Sequence, residues 1–195
     1  MIERFMRVAR GYASSPDASV RLMVARAVED LGDILNRPLE AVPDAGSDDA
    51  VLAALDFDIA DTQEDAGDDP ALARLLPAMS LEDADLADEL RLDTQRRIRN
   101  AKARQLRLLH DILLSDDDRV LVPYGSEHEV LSALTDVRLL IAERLQIRDA
   151  DDIDRLRDAH EAGDRATTVL AEVYAFLTWW QDSLLQAMGA AEPSP

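Results

Sequence analysis

Along most of the chain, apolar residues recur at the three-to-four-residue spacing of an amphipathic helix, which predicts a mainly α-helical protein. The first helix is predicted from Ala18 to Asn36, with Asp17 as its N-cap and Pro38 as the stop signal. Its apolar face consists of five residues: Val20, Val24, Ala27, Leu31 and Leu35.

A long helix is predicted in the middle of the chain, after a short one in "PALARLLPAM". The sequence "SLED" from Ser80 has the spacing of a capping box, in which the first and fourth side chains cap the start of a helix. This helix is expected to end near Leu114. Its apolar stripe is interrupted by polar residues and consists of Leu90, Ile98, Ala101, Leu108 and Ile112.

Two more long helices are predicted in the last third. "SEHE" from Ser126 is a second capping box, and it opens a helix to about Ile147 that is apolar enough to be central in the fold. After a short acidic helix in "DDIDRLRDAH", the last helix is predicted from about Asp164 to Met188. Its apolar face consists of Val169, Val173, Phe176, Leu177, Trp180 and Leu184.

The other segments complete a single predicted helical domain over residues 1–195. Val120–Val122 is a candidate short strand, which could pair with the ambiguous N-terminal segment 1–16 in a two-stranded ribbon. Residues 44–69 hold ten acidic residues and no basic one, which predicts a flexible acidic insertion. Residues 189–195 are predicted to be a disordered tail.

The charge of the chain disfavours several classes of partner. With 40 acidic and 21 basic residues the formal net charge is -19, which opposes unassisted binding to nucleic acid or to an anionic membrane. The sequence shows neither the apolar run of a signal peptide nor about 20 consecutive apolar residues that would span a bilayer. We therefore expect a cytoplasmic protein.

Sequence signals of catalysis and cofactor binding are missing. Without cysteine, thiolate nucleophiles and thiolate metal sites are excluded. Phosphate-binding loops and dinucleotide fingerprints are absent, and His110, His128 and His160 fall on different predicted segments. We expect no catalytic residue, no cofactor, no metal site and no enzymatic activity.

The positive charge is concentrated in the long central helix. Segment 91–107 carries a net charge of +6, which leaves -25 for the rest of the chain. On a helical wheel, Arg91, Arg99 and Lys102 border the apolar face, where they are placed to pair with acids on neighbouring helices. Four arginines lie further round and face solvent or a partner: Arg96, Arg97, Arg104 and Arg107. Internal ion pairing is the favoured role of the segment, ahead of a protein partner and of nucleic acid.

Two other regions are candidates for contacts with a partner. Trp179 lies off the centre of the apolar stripe of the last helix, which makes it a candidate exposed anchor. The apolar arc of that helix is wider than one neighbour needs, which predicts a homodimer. The acidic segment 44–69 is a further candidate, either for a partner or for masking the basic helix.

Three stretches resemble an actinobacterial domain-of-unknown-function family whose genes commonly neighbour that of the ClpS proteolysis adaptor. They are "LRLDTQRRIRNAK", "LTDVRLLIAERLQI" and "YAFLTWWQDSLL". The positions similar to the family's pattern are Arg91, Thr94, Arg99, Lys102, Asp136, Arg138, Arg144, Tyr174, Leu177, Gln181 and Asp182.

The resemblance implies a helical fold with no assigned enzymatic activity. Some members of the family are oxidative-stress transcriptional regulators that sense redox state through paired cysteines, a mechanism that a chain without cysteine lacks. The resemblance also implies a structural polar network that ties the long helices together: Arg91, Thr94, Arg99, Lys102, Asp136, Arg138, Gln181 and Asp182.

Together, the residues and the resemblance lead us to expect a non-enzymatic regulatory or adaptor protein that acts through protein–protein contacts. The resemblance alone implies its candidate partners, the transcription machinery and the Clp proteolysis machinery. Direct DNA binding through the basic helix 91–107 is the first alternative, and an enzyme with an unrecognised site is the second.

Overall fold

The computed structural model describes residues 4–39, 70–75, 84–115, 117, 119–148, 152 and 165–189, with the backbone alone for Ala73 and for residues 84–93. The described elements are β1 (Met6–Val8), β2 (Gly11–Ser14), α1 (Ala18–Ile34), α2 (Pro70–Leu75), α3 (Ala84–Leu113), β3 (Val120–Pro123), α4 (Glu127–Arg144) and α5 (Arg165–Gly189). The predicted acidic insertion 44–69 and the "SLED" capping box lie outside the described residues, as does the short acidic helix apart from Asp152.

The mainly helical prediction is confirmed, and the predicted ribbon is a three-stranded antiparallel sheet in the order β1-β2-β3. The N-terminal segment forms a hairpin by itself, with Met6 opposite Ala13, and its second strand pairs with β3, with Tyr12 opposite Val122. The three residues of β1 are too few to show an alternating pattern, which is why the sequence left this segment ambiguous.

Gly11 allows β2 and β3 to approach each other closely. A Cβ atom at this position would lie 2.0 Å from the carbonyl oxygen of Val122, and the φ angle of Gly11 is +154°. Any other residue would therefore push the two strands apart.

Helices α1 and α4 end in the same way. The residue after each C-cap has a positive φ, 54° at Asn36 and 55° at Gln146. The following amide then bonds back into the last turn, from Arg37 to the carbonyl of Gly32 and from Ile147 to that of Ala142, both at 2.8 Å. This is the Schellman arrangement, which turns the chain away from the helix and satisfies its last carbonyls.

The start of α4 differs from the predicted capping box. Ser126 is the N-cap residue, but its side chain makes no capping hydrogen bond. Its φ and ψ of -104° and 1° are not the extended values that aim a capping oxygen at the first turn. Instead, the carboxylate of Glu127 accepts the amide hydrogen of Gly125, with an N–O distance of 2.7 Å.

The core is built around α4, as its apolar sequence predicts. Helix α4 packs against α3, α5, α2, α1 and β3. Leu140 is buried and widens the buried surface of the helix. The predicted inward residues are buried as well: Val130, Leu134, Val137 and Ile141. Helix α3 lies between α4 and α1, and α5 covers the hairpin and α4.

The predicted apolar stripe of α3 is partly wrong. Ile112 is buried as predicted, Ile98, Ala101 and Leu108 are half-buried, and the side chain of Leu90 lies outside the described residues. The other buried apolar residues of this helix follow a different line: Ala103, Leu106, Leu109 and Leu113. Because α3 packs against two helices and β3, its buried surface is broad and includes polar positions that a hydrophobic stripe does not mark.

Helix α5 extends one residue into the predicted tail, since Gly189 is its last residue. Residues 190–195 lie outside the described residues. On the predicted apolar face of α5, Val169 and Phe176 are half-buried. The other four residues of that face are buried: Val173, Leu177, Trp180 and Leu184.

Candidate interaction surface on helix α3

The four outer arginines of α3 are exposed and share one side of the helix. Arg96, Arg97, Arg104 and Arg107 lie within roughly 100° of the helix circumference, together with Asn100. Among the described side chains of this side, Asp111 is the single acidic one. We call these four arginines the arginine face. Within the part of the chain that the structure describes, Arg96, Arg104 and Arg107 have no ion-pair partner.

Arg37 joins the arginine face from the end of α1. Its Nε donates a hydrogen bond of 3.0 Å to the Oδ1 of Asn100, and one terminal nitrogen donates to the carbonyl of Asn36 at 2.6 Å. The left-handed turn at Asn36 directs the chain back across α1 and so places Arg37 beside α3. The positive surface therefore extends from α3 onto the end of α1.

The opposite side of α3 is held against α4 by polar contacts. The ammonium group of Lys102 donates to both carboxylate oxygens of Asp136, at 2.6 and 2.8 Å. One turn further along, the hydroxyl of Ser132 donates to the Oε1 of Gln105 at 3.0 Å. We call these two contacts the α3–α4 seam. They fix the rotation of α3 about its axis and thereby the direction in which the arginine face points.

Burial controls the electrostatics of the α3–α4 seam. Asp136 is buried, and loss of solvation raises its pKa above the ordinary value, even though the hydrogen bond and the charge of Lys102 act to lower it. The side chain of Lys102 is 17% exposed to solvent and that of Asp136 is 5% exposed. The seam therefore orients α3 without strongly favouring the ionised carboxylate.

A buried histidine and glutamate join α3 to α1. The Nε2 of His110 lies 3.0 Å from the Oε1 of Glu29, and both residues are buried. Sequence reasoning missed this pair because its members are 81 residues apart and each was read within its own helix. No periodic signal marks the pair, because at about 100° per residue Glu29 and His110 each fall roughly opposite the apolar face predicted for their own helix.

Arg21 caps the other end of α3. From the first turns of α1 its guanidinium group donates to the carbonyls of Leu113, Ser115 and Asp117, at distances between 2.6 and 2.9 Å. The carbonyl of Leu113 belongs to the last turn of α3, where carbonyls have no partner within the helix, so a fixed cation there is favourable. Helix α3 is thus anchored from Lys102 to its C-terminal end.

A cleft of about 400 Å³ opens beside the arginine face, between the end of α1 and α3. Its walls are Pro38 and Leu39 on one side and Arg107, His110 and Asp111 on the other. Arg107 belongs both to the cleft and to the arginine face, so the two form one continuous surface.

The residues of the predicted polar network form two contacts on opposite sides of α4. Lys102 and Asp136 join α3 to α4, as described above. Arg138 donates at 2.7 Å to the Oε1 of Gln181 on α5, and the Nε2 of Gln181 donates to the hydroxyl of Thr135 at 2.8 Å. Arg138 also lies over the ring of Tyr174, 5.5 Å from its centroid.

The other predicted network residues are not joined to these contacts by any described hydrogen bond. Thr94 and Arg99 are half-buried, and the Nε of Arg99 is buried with no partner among the described atoms. Asp182 is exposed on α5, and the side chain of Arg91 lies outside the described residues.

The two neighbouring tryptophans of α5 differ completely in environment. Trp179 is 42% exposed and contacts Phe176, with ring centroids 6.1 Å apart, so it stays a candidate anchor for a partner. Trp180 is 1% exposed, stacks on Phe5 and donates its indole N–H to the hydroxyl of Ser14 at 2.8 Å.

Two other kinds of site are absent from the described residues. No group of three or more histidine, cysteine, aspartate or glutamate residues there is arranged to hold a metal ion. No helix within the same ranges has the length and apolar character needed to cross a membrane.

The sequence is similar to a known protein family. The sequence model of the family described as "Domain of unknown function (DUF2017)" matches residues 2–188, which is nearly the whole chain. Neither a curated protein nor a solved structure matches the sequence.

Proposed function

The chain belongs to the DUF2017 family, and we propose that it is a non-enzymatic regulatory or adaptor protein that acts through protein–protein contacts in the cytoplasm. The observation that supports this most directly is the arginine face of α3. It places exposed positive charge on one side of a helix whose other sides are anchored, in a chain whose net charge is -19.

A fixed, charged helix surface is suited to recognising another protein. Charge complementarity across an interface selects partners and accelerates their association more than it adds affinity. Because α3 is anchored by Arg21, by His110 and by Lys102, its arginines are presented by a rigid element, and little backbone freedom is lost on binding. The candidate partners are the transcription machinery and the Clp proteolysis machinery, as the family resemblance implies.

An affinity capture from the native cytoplasm, treated with nuclease, tests the proposal. The baits are the wild-type chain, a variant with glutamate at Arg96, Arg97, Arg104 and Arg107, and a control with glutamate at four exposed arginines elsewhere, Arg4, Arg10, Arg119 and Arg165. We expect wild type and the control to capture a partner protein that the arginine-face variant does not capture. The purified partner should also bind the wild-type chain directly. Identical protein sets from all three baits would contradict the proposal.

Direct DNA binding is the second candidate, because the arginine face spans roughly 16 Å of helix, long enough to contact several phosphates. The charge of -25 on the rest of the chain opposes it. A mobility shift at low salt that reversal of Arg96 and Arg97 abolishes would favour DNA over a protein partner.

A further inference from the structure

The cleft beside the arginine face combines an apolar lip with a charged rim. Pro38 and Leu39 form the apolar side, while Arg107 and Asp111 lie one helical turn apart on the other side. His110 contributes to the wall and is held in place by Glu29 at 3.0 Å. A cavity of about 400 Å³ is large enough for one aliphatic side chain together with part of the backbone that carries it.

The charge around this cleft is asymmetric. From the cleft toward the N-terminus of α3, the exposed charged residues are Arg107, Arg104, Arg97 and Arg96, and Arg37 flanks them from the end of α1. Toward the C-terminus of α3, the next exposed charged residue is Asp111. An anionic chain that enters the cleft is therefore attracted toward Arg96 and repelled beyond Asp111.

We propose that the cleft and the arginine face form one docking groove for an acidic peptide segment of a protein partner. One aliphatic side chain of the segment enters the cleft between Leu39 and His110, and the acidic residues follow the arginines from Arg107 toward Arg96. This inference rests on the proposed function and specifies the chemistry of the partner.

The length of the groove sets the length of the motif. Arg107 and Arg96 are eleven residues apart, or roughly 16 Å along the helix axis. An extended peptide covers that distance with about five residues. The motif is thus one leucine-like residue with about five mainly acidic residues on one side of it.

The same features favour a carboxylate-bearing peptide over nucleic acid. Arginine binds carboxylates and phosphates alike with two parallel hydrogen bonds, so the discrimination comes from the apolar lip. Pro38 and Leu39 offer an apolar side chain of a peptide a contact that a sugar–phosphate chain cannot use. The described walls of the cleft contain no aromatic side chain on which a base could stack.

Fluorescence anisotropy with synthetic probes tests the inference on the full-length protein. The probe is a labelled peptide with one leucine followed by about five aspartates. Three comparators are used: the same peptide with asparagines, the same peptide with glycine in place of leucine, and a labelled single-stranded oligonucleotide of similar charge. The proteins are wild type, Arg104→Glu/Arg107→Glu, the matched control Arg10→Glu/Arg119→Glu, and Asp111→Arg.

The expected results follow from the groove. Arg104→Glu/Arg107→Glu weakens binding of the acidic probe by about tenfold or more, and the control variant leaves it within about twofold. Asp111→Arg tightens it, because the opposing charge becomes attractive. The asparagine and glycine comparators each bind about tenfold more weakly than the acidic probe. Circular dichroism confirms that every variant is folded.

Several outcomes overturn the inference. Equal binding to wild type and Arg104→Glu/Arg107→Glu removes the groove as a peptide site, and so does undetectable binding of the acidic probe both to wild type and to a further variant with asparagine at the acids of residues 44–69. Preferential binding of the oligonucleotide assigns the face to nucleic acid. Binding of the probe only after the acids of residues 44–69 are replaced by asparagine assigns the groove to the chain's own acidic segment.

The failure of the docking inference is distinguishable from the failure of the proposed function. If the affinity capture identifies a partner that depends on the arginine face but the acidic probe does not bind, the function stands and the peptide chemistry is wrong. If both experiments are negative, the arginine face is not an interaction surface.

Discussion

Two junctions of the molecule are closed by opposite kinds of contact. Where the N-terminal hairpin meets α5, Trp180 stacks on Phe5 with ring centroids 4.9 Å apart and is almost completely buried. Where α3 meets α4, the α3–α4 seam joins Lys102 to Asp136 and Gln105 to Ser132. The first junction is filled by aromatic rings and the second is joined by polar groups.

The difference shows which junction supplies stability and which supplies orientation. Burying an aromatic ring removes a large apolar area from water, and that is the main source of folding free energy. A buried ion pair loses much of its attraction to desolvation, as the raised pKa of Asp136 shows. We infer that the hairpin–α5 junction stabilises the fold, whereas the α3–α4 seam fixes how the arginine face is presented.

The largest expected effect comes from Trp180. Trp180→Ala removes the stack on Phe5 and leaves the hydroxyl of Ser14 without its indole donor, so we expect a loss of about 3–5 kcal/mol in the free energy of unfolding. Trp179→Ala is the matched control, since Trp179 is 42% exposed, and we expect it to change stability by less than about 0.5 kcal/mol. Urea denaturation measures both, and equal losses would contradict the assignment of stability to this junction.

An intermediate effect is expected when the ion pair is broken from one side. Lys102→Met leaves the carboxylate of Asp136 buried without its cation, and we expect a loss of about 2–3 kcal/mol. The double variant Lys102→Met/Asp136→Leu should recover most of it, because a well-packed apolar pair avoids the desolvation penalty. A double variant as unstable as the single one would mean that the pair itself stabilises the fold.

The pH dependence of stability sharpens the comparison. Because burial raises the pKa of Asp136 above its unfolded value of 3.8, this group stabilises the folded state most at lower pH. That contribution is lost as the pH rises through the folded pKa. Wild type should therefore lose stability relative to Asp136→Asn as the pH rises above about 4, as followed by urea denaturation. Parallel stability curves for the two proteins would contradict the raised pKa.

The smallest effect is expected at the neutral contact of the α3–α4 seam. Ser132→Ala removes a partly buried hydrogen bond worth about 1 kcal/mol but gains about 0.5 kcal/mol of helix propensity. We expect a net loss of about 0.5 kcal/mol in the free energy of unfolding, measured by thermal denaturation beside wild type. A loss near that of Lys102→Met would mean that the whole seam acts as one cooperative network.

The helices were predictable because their apolar periodicity reflects burial directly. The predicted helix from Ala18 to Asn36 ends within two residues of the observed one, and the central position of α4 follows from its apolar sequence. The line of the stripe on α3 was less predictable, because a helix between two neighbours also buries polar residues such as Lys102. A wheel drawn from hydrophobic residues alone has no way to mark them.

The candidate site was only partly predictable for a related reason. The exposure of the outer arginines depends on one helix, and their positions were identified from the sequence. The cleft depends on the turn after Asn36, which brings Leu39 to α3, and the His110–Glu29 pair depends on how α1 and α3 pack. Such contacts between distant segments leave no periodic signal in a single sequence.

The contact between the hairpin and α5 also constrains the order in which the protein can fold during synthesis. The amide of Phe5 donates to the hydroxyl of Ser183, which is 178 residues later in the chain, and Ser14 binds Trp180 across 166 residues. Contacts of such long sequence separation form slowly, because a large loop must close first. Because α5 comes so much later in the chain, the hairpin leaves the ribosome well before the helix that covers it. Until α5 has emerged, Trp180 cannot stack on Phe5, so this apolar side chain lacks its native partner in the nascent chain.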